Sequence, residues 1–251
     1  FVLSSVFLSS ITTASTPVLS RDIAAERWPA VRQTVISALR LVAFLALPMG
    51  IGLAFLGVPV IRLLLERGRF TAEASQVTGA VLSLYALSIL CLGYFRVVQA
   101  YFYAALKATL VLGLFAVNAL VTIGLDIALA GVIGVRGIAL GFSVGSLAAT
   151  TLGLWLLARD GWGYRGQGDE AQREAGVTAA MVRSLIVLNV QVALASLAMT
   201  LAALGALRVL PATPWALLPA LALGGLVFVA TAWLLRVREL TLAWEMARRR
   251  R

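Results

Sequence analysis

Residues 109–130 read TLVLGLFAVNALVTIGLDIALA, and this stretch decides the fold. It contains a single charged side chain, Asp126. A helix needs about 20 mainly apolar residues to cross the hydrocarbon core of a bilayer. An open strand is excluded, because lipid cannot satisfy the unpaired backbone groups of a sheet edge. The stretch therefore predicts a transmembrane α-helix.

Six further stretches of this kind occur in the chain. They run at about 2–19, 35–65, 76–104, 136–158, 182–208 and 214–236. Of the 251 residues, 61% are apolar and 13% are charged, whereas soluble domains carry about 25% charged residues. This composition excludes a water-soluble globular domain. It predicts an all-α integral membrane protein, a polytopic helical bundle of about seven transmembrane helices.

The net charge of +10 arises from 21 lysines and arginines against 11 acidic residues. Nucleic-acid binding is not expected, because the basic residues lie in the gaps between apolar stretches rather than on one face. If the 20–40 connection is cytoplasmic, fifteen basic residues fall on that side and five on the other. Cytoplasmic loops are enriched in lysine and arginine, so the sequence predicts a cytoplasmic C-terminus.

The chain divides into three parts. Residues 1–158 contain five predicted helices, and residues 159–181 form a glycine-rich polar stretch that predicts a flexible cytoplasmic linker. Residues 182–251 form a final transmembrane hairpin with a basic cytoplasmic tail. The chain begins at Phe1 without an initiator methionine, so we expect it to be part of a longer protein.

Asp126 carries an ionisable group at membrane depth, where burial costs about 2.5–3.5 kcal/mol. It follows Thr122 and Asn118 at four-residue spacing, so the three side chains share one helix face. Carboxylate, hydroxyl and amide oxygens suit a hard cation such as Na⁺, or a proton. The alternative is that Asp126 lies near the outer end of its helix and is solvated.

Arg96 is the second ionisable group within an apolar stretch. A guanidinium is always charged and binds phosphate through two hydrogen bonds, so Arg96 would suit an anionic lipid headgroup in a cavity. The alternative is that it snorkels to the cytoplasmic surface, about 8–10 residues away along the helix.

Small residues and prolines predict how the helices pack. Gly137, Gly141 and Gly145 recur at four-residue spacing and predict a close helix–helix contact. Pro48 and Pro59 predict a kink or break in the second stretch. The chain has no histidine and no HExxH or P-loop motif, which argues against an enzyme.

Several segments carry motifs that occur together in one family of membrane proteins. The most specific is LERGRFTA at 65–72, which is similar to the loop LFERGAFTAED, and TPVLSR at 16–21 is similar to L-P-x-L-S-[RK]. Further matches lie at 40–48, 85–104 and 137–140. On these motifs the chain resembles the MurJ/MviN lipid II flippases from about residue 5 to residue 158, with a compatible final helix pair.

The resemblance implies the multidrug/oligosaccharidyl-lipid/polysaccharide exporter fold, with two six-helix lobes around a cationic cavity and two additional helices. This chain would supply most of the second lobe and the additional pair. It implies alternating access that moves undecaprenyl-diphosphate-linked disaccharide-pentapeptide across the bacterial cytoplasmic (inner) membrane. The alternatives are another polysaccharide or drug exporter of this fold, an enzyme acting on polyprenyl substrates, and a transport-incompetent membrane scaffold.

The resemblance also implies which residues bind the substrate. Arg96 stands where the family has a basic residue in its cavity, and Lys107 keeps the one charge in the segment that replaces the family's GDTRTP. The essential arginines of the first lobe lie outside this chain, so we expect the first lobe and membrane lipids as partners.

The resemblance also implies a sodium site at the fourth predicted helix, and it implies no other cofactor. Asp126 matches the aspartate ligand, Thr122 replaces an asparagine ligand, and Ile138 matches a backbone-carbonyl ligand. Phe142 stands where the family has a threonine ligand. Coupling to Na⁺ or to a proton, or to the membrane potential, would drive transport.

Overall fold

The computed structural model describes residues 15–66, 70–160, 169–209, 214–235 and 237, and of residues 169–178 only the backbone. The helices of this part are α1 (15–24), α2 (Trp28–Leu65), α3 (Ala72–Ala86), α4 (Ser88–Ala104), α5 (Ala108–Ile133), α6 (Val135–Arg159), α7 (Asp169–Val209) and α8 (Leu217–Leu234). A short 3₁₀ turn at Pro214–Ala216 precedes α8. The described part of the chain is therefore a helical bundle, as predicted.

Six segments of this part are long and apolar enough to cross a membrane. They are Trp28–Leu65, Ala72–Ala104, Ala108–Ile133, Val135–Arg159, Ala179–Val209 and Leu217–Leu234. They match the last six predicted stretches, and the chain is a multi-pass membrane protein. The first predicted stretch, 2–19, lies mostly outside the described residues, as does the basic tail.

The helices form a series of pairwise contacts through the bundle. α5 packs on α6, α6 packs on α3 and α4, these pack on α2, α2 packs on α7, and α7 packs on α8. The core lies where α2 meets α4, and its fully buried side chains include Val35, Leu39, Val98 and Phe102. In α5 only 11% of the most apolar window is buried, so most of this helix is left uncovered by the described chain.

The linker predicted at 159–181 is shorter in the structure. α6 continues to Arg159, and α7 already begins at Asp169. The sequence from 169, DEAQREA, begins with acidic residues, which favour the N-terminus of a helix, and continues with strong helix formers. The residues between the two helices are therefore 160–168 alone.

The prolines predict a kink or break in the second stretch; the structure shows no break there and has a break in the third stretch instead. α2 runs through Pro48 and Pro59 without a break, whereas the predicted span 76–104 is divided at Leu87. Ser88 Oγ donates to the carbonyl of Tyr85 at 2.7 Å, and Ser143 Oγ of α6 donates to the carbonyl of Leu84 at 2.8 Å. These bonds satisfy backbone carbonyls around the division, as membrane depth requires.

α2 and α3 cross with their backbones in contact at two glycines. A β-carbon at Gly79 would lie 2.5 Å from Cα of Val58. A β-carbon at Gly57 would lie 2.7 Å from the carbonyl oxygen of Gly79. Real side chains do not approach so closely, so Gly57 and Gly79 set the distance between the two helices.

The turn between α4 and α5 has a left-handed residue that is not glycine. Leu106 has φ +57°. The N–H of Leu106 donates to the carbonyl of Tyr103 at 3.1 Å, and the N–H of Lys107 donates to the carbonyl of Phe102 at 2.8 Å. This pair of bonds is a Schellman motif, in which glycine normally occupies the left-handed position.

We expect Leu106→Gly to raise the free energy of unfolding by about 1 kcal/mol, because the left-handed conformation strains a side chain with a β-carbon. Little packing is lost, since Leu106 is 93% exposed. Thermal unfolding of the detergent-solubilised protein measures the change. The control is Leu112→Gly, at an exposed position inside α5, which should lower stability by about 1 kcal/mol. A loss of stability in Leu106→Gly would contradict the strain.

Candidate cation and substrate sites

The polar face predicted on α5 and the glycine face predicted on α6 pack against each other. One residue, Gly134, joins the two helices, and its φ of +60° is readily adopted by glycine. The reversal folds α6 back along α5, and the two helices make an extensive contact. We call this contact the α5–α6 seam.

The glycines of α6 leave room for polar side chains of α5 within the seam. A β-carbon at Gly141 would collide with Oδ1 of Asp126 and lie 3.3 Å from the carbonyl oxygen of Thr122. A β-carbon at Gly145 would collide with Oγ1 of Thr122 and lie 2.9 Å from the carbonyl oxygen of Asn118. Two features that the sequence indicates separately are therefore one contact.

Asp126 is half-buried, and its Oδ1 atom is fully buried without a hydrogen-bond partner among the described residues. Thr122 Oγ1 donates instead to Oδ1 of Asn118 at 3.3 Å. Asp126 lies eight residues before Gly134, about 12 Å along the helix. Its Oδ1 therefore faces the seam rather than the solvent, and a buried carboxylate oxygen without a donor is costly unless a proton or cation compensates it.

The other two positions of the implied sodium site supply no side-chain oxygen, and at Ile138 the resemblance implies the backbone carbonyl as the ligand. Ile138 lies in the first turn of α6 with its side chain 40% exposed. Phe142 places its ring 5.5 Å from the ring of Tyr85, centroid to centroid, and offers no side-chain oxygen. The side-chain oxygens at the seam therefore come from Asp126, Thr122 and Asn118, and a bound Na⁺ would need backbone carbonyls or water to complete its shell.

Arg96 lies within the membrane-crossing segment Ala72–Ala104, eight residues before its end. The side chain is half-buried, and no hydrogen bond or ion pair joins it to another residue of the described part. Gln99 and Tyr103 share its helix face, and neither is buried. Phe95 and Val98 on other faces are buried. Gly93 and Ala100, about one turn before and after Arg96, are also buried. Arg96 thus lies at the edge of the side of α4 that the described bundle leaves open.

Lys107 occupies a different place and is paired. Its Nζ atom contacts the carboxylate of Asp160 at the end of α6, and Tyr101 donates its hydroxyl proton to the other carboxylate oxygen at 2.9 Å. These residues line a cavity of about 430 Å³ beside the α1–α2 turn. Lys107 precedes Asp126 by 19 residues, about 28 Å of helix, so these two groups cannot belong to one site.

Two residues of these contacts, Asp160 and Asn189, were not predicted from the sequence. Asp160 follows the last residue of α6 and lies on the same predicted side of the membrane as Lys107. This shared side is the sequence feature that could have suggested an ion pair between them. Asn189 lies in an apolar stretch that also contains Gln191. Its Oδ1 accepts the hydroxyl of Tyr94 at 2.9 Å and so joins α7 to α4.

Two curated relatives are similar to part of this chain in sequence. A protein of Bdellovibrio bacteriovorus named "Probable lipid II flippase MurJ" is 32% identical over 126 residues, which is 49% of this chain and 23% of the relative. A protein of Rhizobium tropici with the same name is 32% identical over 123 residues, again 49% of this chain and 23% of the relative. The matched part of the chain therefore spans about a quarter of the length of these relatives.

The fold is that of a solved structure named "Lipid II flippase MurJ, inward closed conformation". The two superpose with a TM-score of 0.74 at 20% sequence identity, over 95% of this chain and 45% of that chain. The family model described as "Lipid II flippase MurJ" matches residues 2–207. Because this match covers most of the sequence, the chain belongs to the lipid II flippase MurJ family.

Proposed function

We propose that this chain contributes the second lobe and the additional helix pair of a transporter that moves lipid II across the cytoplasmic membrane by alternating access. The observation that carries the proposal is the family match over residues 2–207. The superposition on 45% of a solved flippase chain is compatible with one lobe and the helix pair. The first lobe would complete the cavity.

Arg96 is the residue of this chain that we assign to the substrate. Its charge lies within a membrane-crossing segment, at the edge of the open side of α4. A diphosphate is the charged part of an undecaprenyl-linked precursor, and guanidinium binds phosphate oxygens through two parallel hydrogen bonds. Transport needs no covalent step at this group: Arg96 offsets the cost of taking the diphosphate out of water. Lys107 would contribute only after releasing Asp160.

The test is rescue of a bacterium depleted of its own lipid II flippase by the full-length protein. We expect growth to return and newly made lipid II to become accessible at the outer face of the membrane. Absence of rescue by protein that is present in the membrane at normal amounts would reject the lipid II assignment. Export of a different glycan or of a cationic drug in the same cells would favour another exporter of this fold.

We further propose that Asp126 takes the coupling cation, Na⁺ or a proton. Support comes from the buried Oδ1 atom, which has no donor within the described residues. A ligand shifts a conformational equilibrium only by binding one state better than the other. A cation that is held at the seam in one state and released in the other would meet that requirement.

Asp126→Asn is expected to remove the dependence of transport on the coupling cation, because an amide carries neither the proton nor the negative charge. Initial rates of lipid II translocation by the full-length protein, measured at varied Na⁺ and at varied pH, identify which cation couples. The matched control is Asp160→Asn, at the other end of the α5–α6 hairpin, which should leave the cation dependence in place. Unchanged dependence on both Na⁺ and pH in Asp126→Asn would contradict the assignment.

We place the chain in the bacterial cytoplasmic membrane with its C-terminus in the cytoplasm. The excess of basic residues in alternate connections supports this orientation. A cysteine introduced by Gln167→Cys, in a Cys91→Ser background of the full-length protein, should react with a membrane-impermeant maleimide only after the cells are opened. Labelling in intact cells would reverse the orientation.

A further inference from the structure

The division at Leu87 lies beside a weak point in the backbone of α2. The N–H of Leu87 donates to the carbonyl of Leu84 at 3.3 Å, three residues back, and such a 3₁₀ turn inside a helical span often marks a hinge. A β-carbon at Gly50 of α2 would lie 3.1 Å from the carbonyl oxygen of Ala86. Pro48, two residues from Gly50, has no N–H to donate within α2. Both helices therefore have a point of bending at the same level.

The helices on either side of this level form two packed units. Gly57 and Gly79 bring the backbones of α2 and α3 into contact, so α3 and the second half of α2 move together. The first half of α2 shares a core with α4, in which Leu39, Val98 and Phe102 are fully buried. The division at Leu87 lies between the two units.

One face of α6 carries hydroxyl groups that bond to both sides of the division. Ser143 Oγ donates to the carbonyl of Leu84 in α3 at 2.8 Å, and Thr150 Oγ1 donates to the carbonyl of Cys91 in α4 at 2.9 Å. Each bond joins residues that are 59 positions apart. α6 therefore runs alongside the divided span in the same direction and in register with it.

A third hydroxyl on this face makes no hydrogen bond. Ser146 shares the face with Ser143 and Thr150, and the same spacing places it opposite Leu87. Ser146 is 1% exposed, and its Oγ has no hydrogen-bond partner within the described ranges. A buried hydroxyl without a partner destabilises the arrangement that contains it. A change of angle that turns a carbonyl of the division toward Ser146 would satisfy this hydroxyl.

We propose that the division at Leu87 is a hinge with two angles and that Ser143 and Ser146 position it. Ser143 holds the angle seen here by donating to the carbonyl of Leu84. At the second angle Ser146 donates to a carbonyl of the division, and the bond from Ser143 is released. The hinge turns α3 and the second half of α2 against α4, a motion that rests on the proposed transport by alternating access. Because the two angles exchange one hydrogen bond for another, substrate binding can shift the equilibrium between them.

The experiment measures the distance across the hinge in the purified full-length protein in lipid nanodiscs. Nitroxide labels are attached through Gln76→Cys on α3 and Tyr103→Cys on α4, both at exposed positions. Cys91 and any cysteine elsewhere in the full-length protein are replaced by serine. The two labelled positions are about 40 Å of helix apart, within reach of double electron–electron resonance. We expect this labelled reference protein to show two distances.

The two serines should shift the distances in opposite directions. Ser143→Ala should raise the ratio of the second distance to the first about fivefold, the effect of about one net hydrogen bond. Ser146→Ala should lower the same ratio by a similar factor. The matched control is Thr151→Ala, which removes a hydroxyl of α6 that donates to the carbonyls of Leu147 and Ala148 in its own helix. This control should leave the ratio unchanged.

Two outcomes would overturn the proposal. A single distance, identical in the reference protein and in both serine variants, would show that the division is rigid. A shift in the same direction in Ser143→Ala and Ser146→Ala would indicate a general loss of packing rather than a choice between two hydrogen bonds. The measurement needs neither lipid II nor growth of depleted cells. A failure of the hinge is therefore distinguishable from a failure of the lipid II assignment, which the rescue experiment tests.

Discussion

Arg96→Ala in the full-length protein is expected to abolish rescue of flippase-depleted bacteria. Arg96 is half-buried within the segment Ala72–Ala104 and lies at the edge of the side of α4 that the described bundle leaves open. Without its charge, a diphosphate entering that space loses a bidentate partner and remains desolvated. Growth after depletion and the accessibility of lipid II at the outer face measure the loss, with membrane levels of the variant confirmed by immunoblot.

The matched control for Arg96→Ala is Arg136→Ala. Arg136 is an exposed arginine at the start of α6, so Arg136→Ala removes the same charge and leaves the buried side chains of the bundle unchanged. We expect Arg136→Ala to support growth and Arg96→Lys to restore part of the activity, because lysine keeps the charge and loses the paired hydrogen bonds. Normal growth with Arg96→Ala at normal membrane levels would mean that Arg96 snorkels to the surface and has no part in the cavity.

Gly79→Ala is expected to lower the free energy of unfolding by about 1–3 kcal/mol, the usual cost of forcing an extra carbon into a packed contact. The added β-carbon would lie 2.5 Å from Cα and 2.9 Å from the backbone nitrogen of Val58. Backbone atoms cannot rotate aside as a side chain can, so α2 and α3 must separate. Thermal unfolding in detergent, followed by tryptophan fluorescence, should show the lowered midpoint.

Gly113→Ala provides the comparison for Gly79→Ala. Gly113 also lies inside a membrane-crossing helix, and a β-carbon there would meet no atom within 4 Å. Alanine should therefore be tolerated at this position, with a small gain from its helix propensity. Equal unfolding midpoints for the two variants would show that α2 and α3 are not held at the distance that the two glycines indicate.

The sequence predicts the number and position of the described membrane-crossing helices well, because the cost of exposing polar residues to lipid acts on each segment independently. The same reasoning within one helix places Asn118, Thr122 and Asp126 on one face, and Gly141 and Gly145 on another. Spacing within each helix does not show that the two faces are in contact with each other. Spacing along one helix defines a face, whereas the partner of that face depends on the whole bundle.

Other features depend on contacts between distant residues and could not be predicted in this way. Lys107 is recognisable as basic, but its pairing with Asp160 requires the ends of α4 and α6 to adjoin. The division of the predicted span at Leu87 is compensated in part by Ser143, which lies on another helix. Pro48 and Pro59 predict a kink or break in α2, and the structure shows no break at either residue.

The single-residue connection at Gly134 and the glycines of the seam restrict how this part of the molecule can move. The backbones of α5 and α6 are in direct contact at these glycines, and a single residue joins the two helices, so we expect α5 and α6 to move together. We therefore do not expect an ion bound between α5 and α6 to separate the two helices. If Asp126 takes the coupling cation as proposed, the cation would act on the rest of the bundle through the contacts of α6 with α3 and α4.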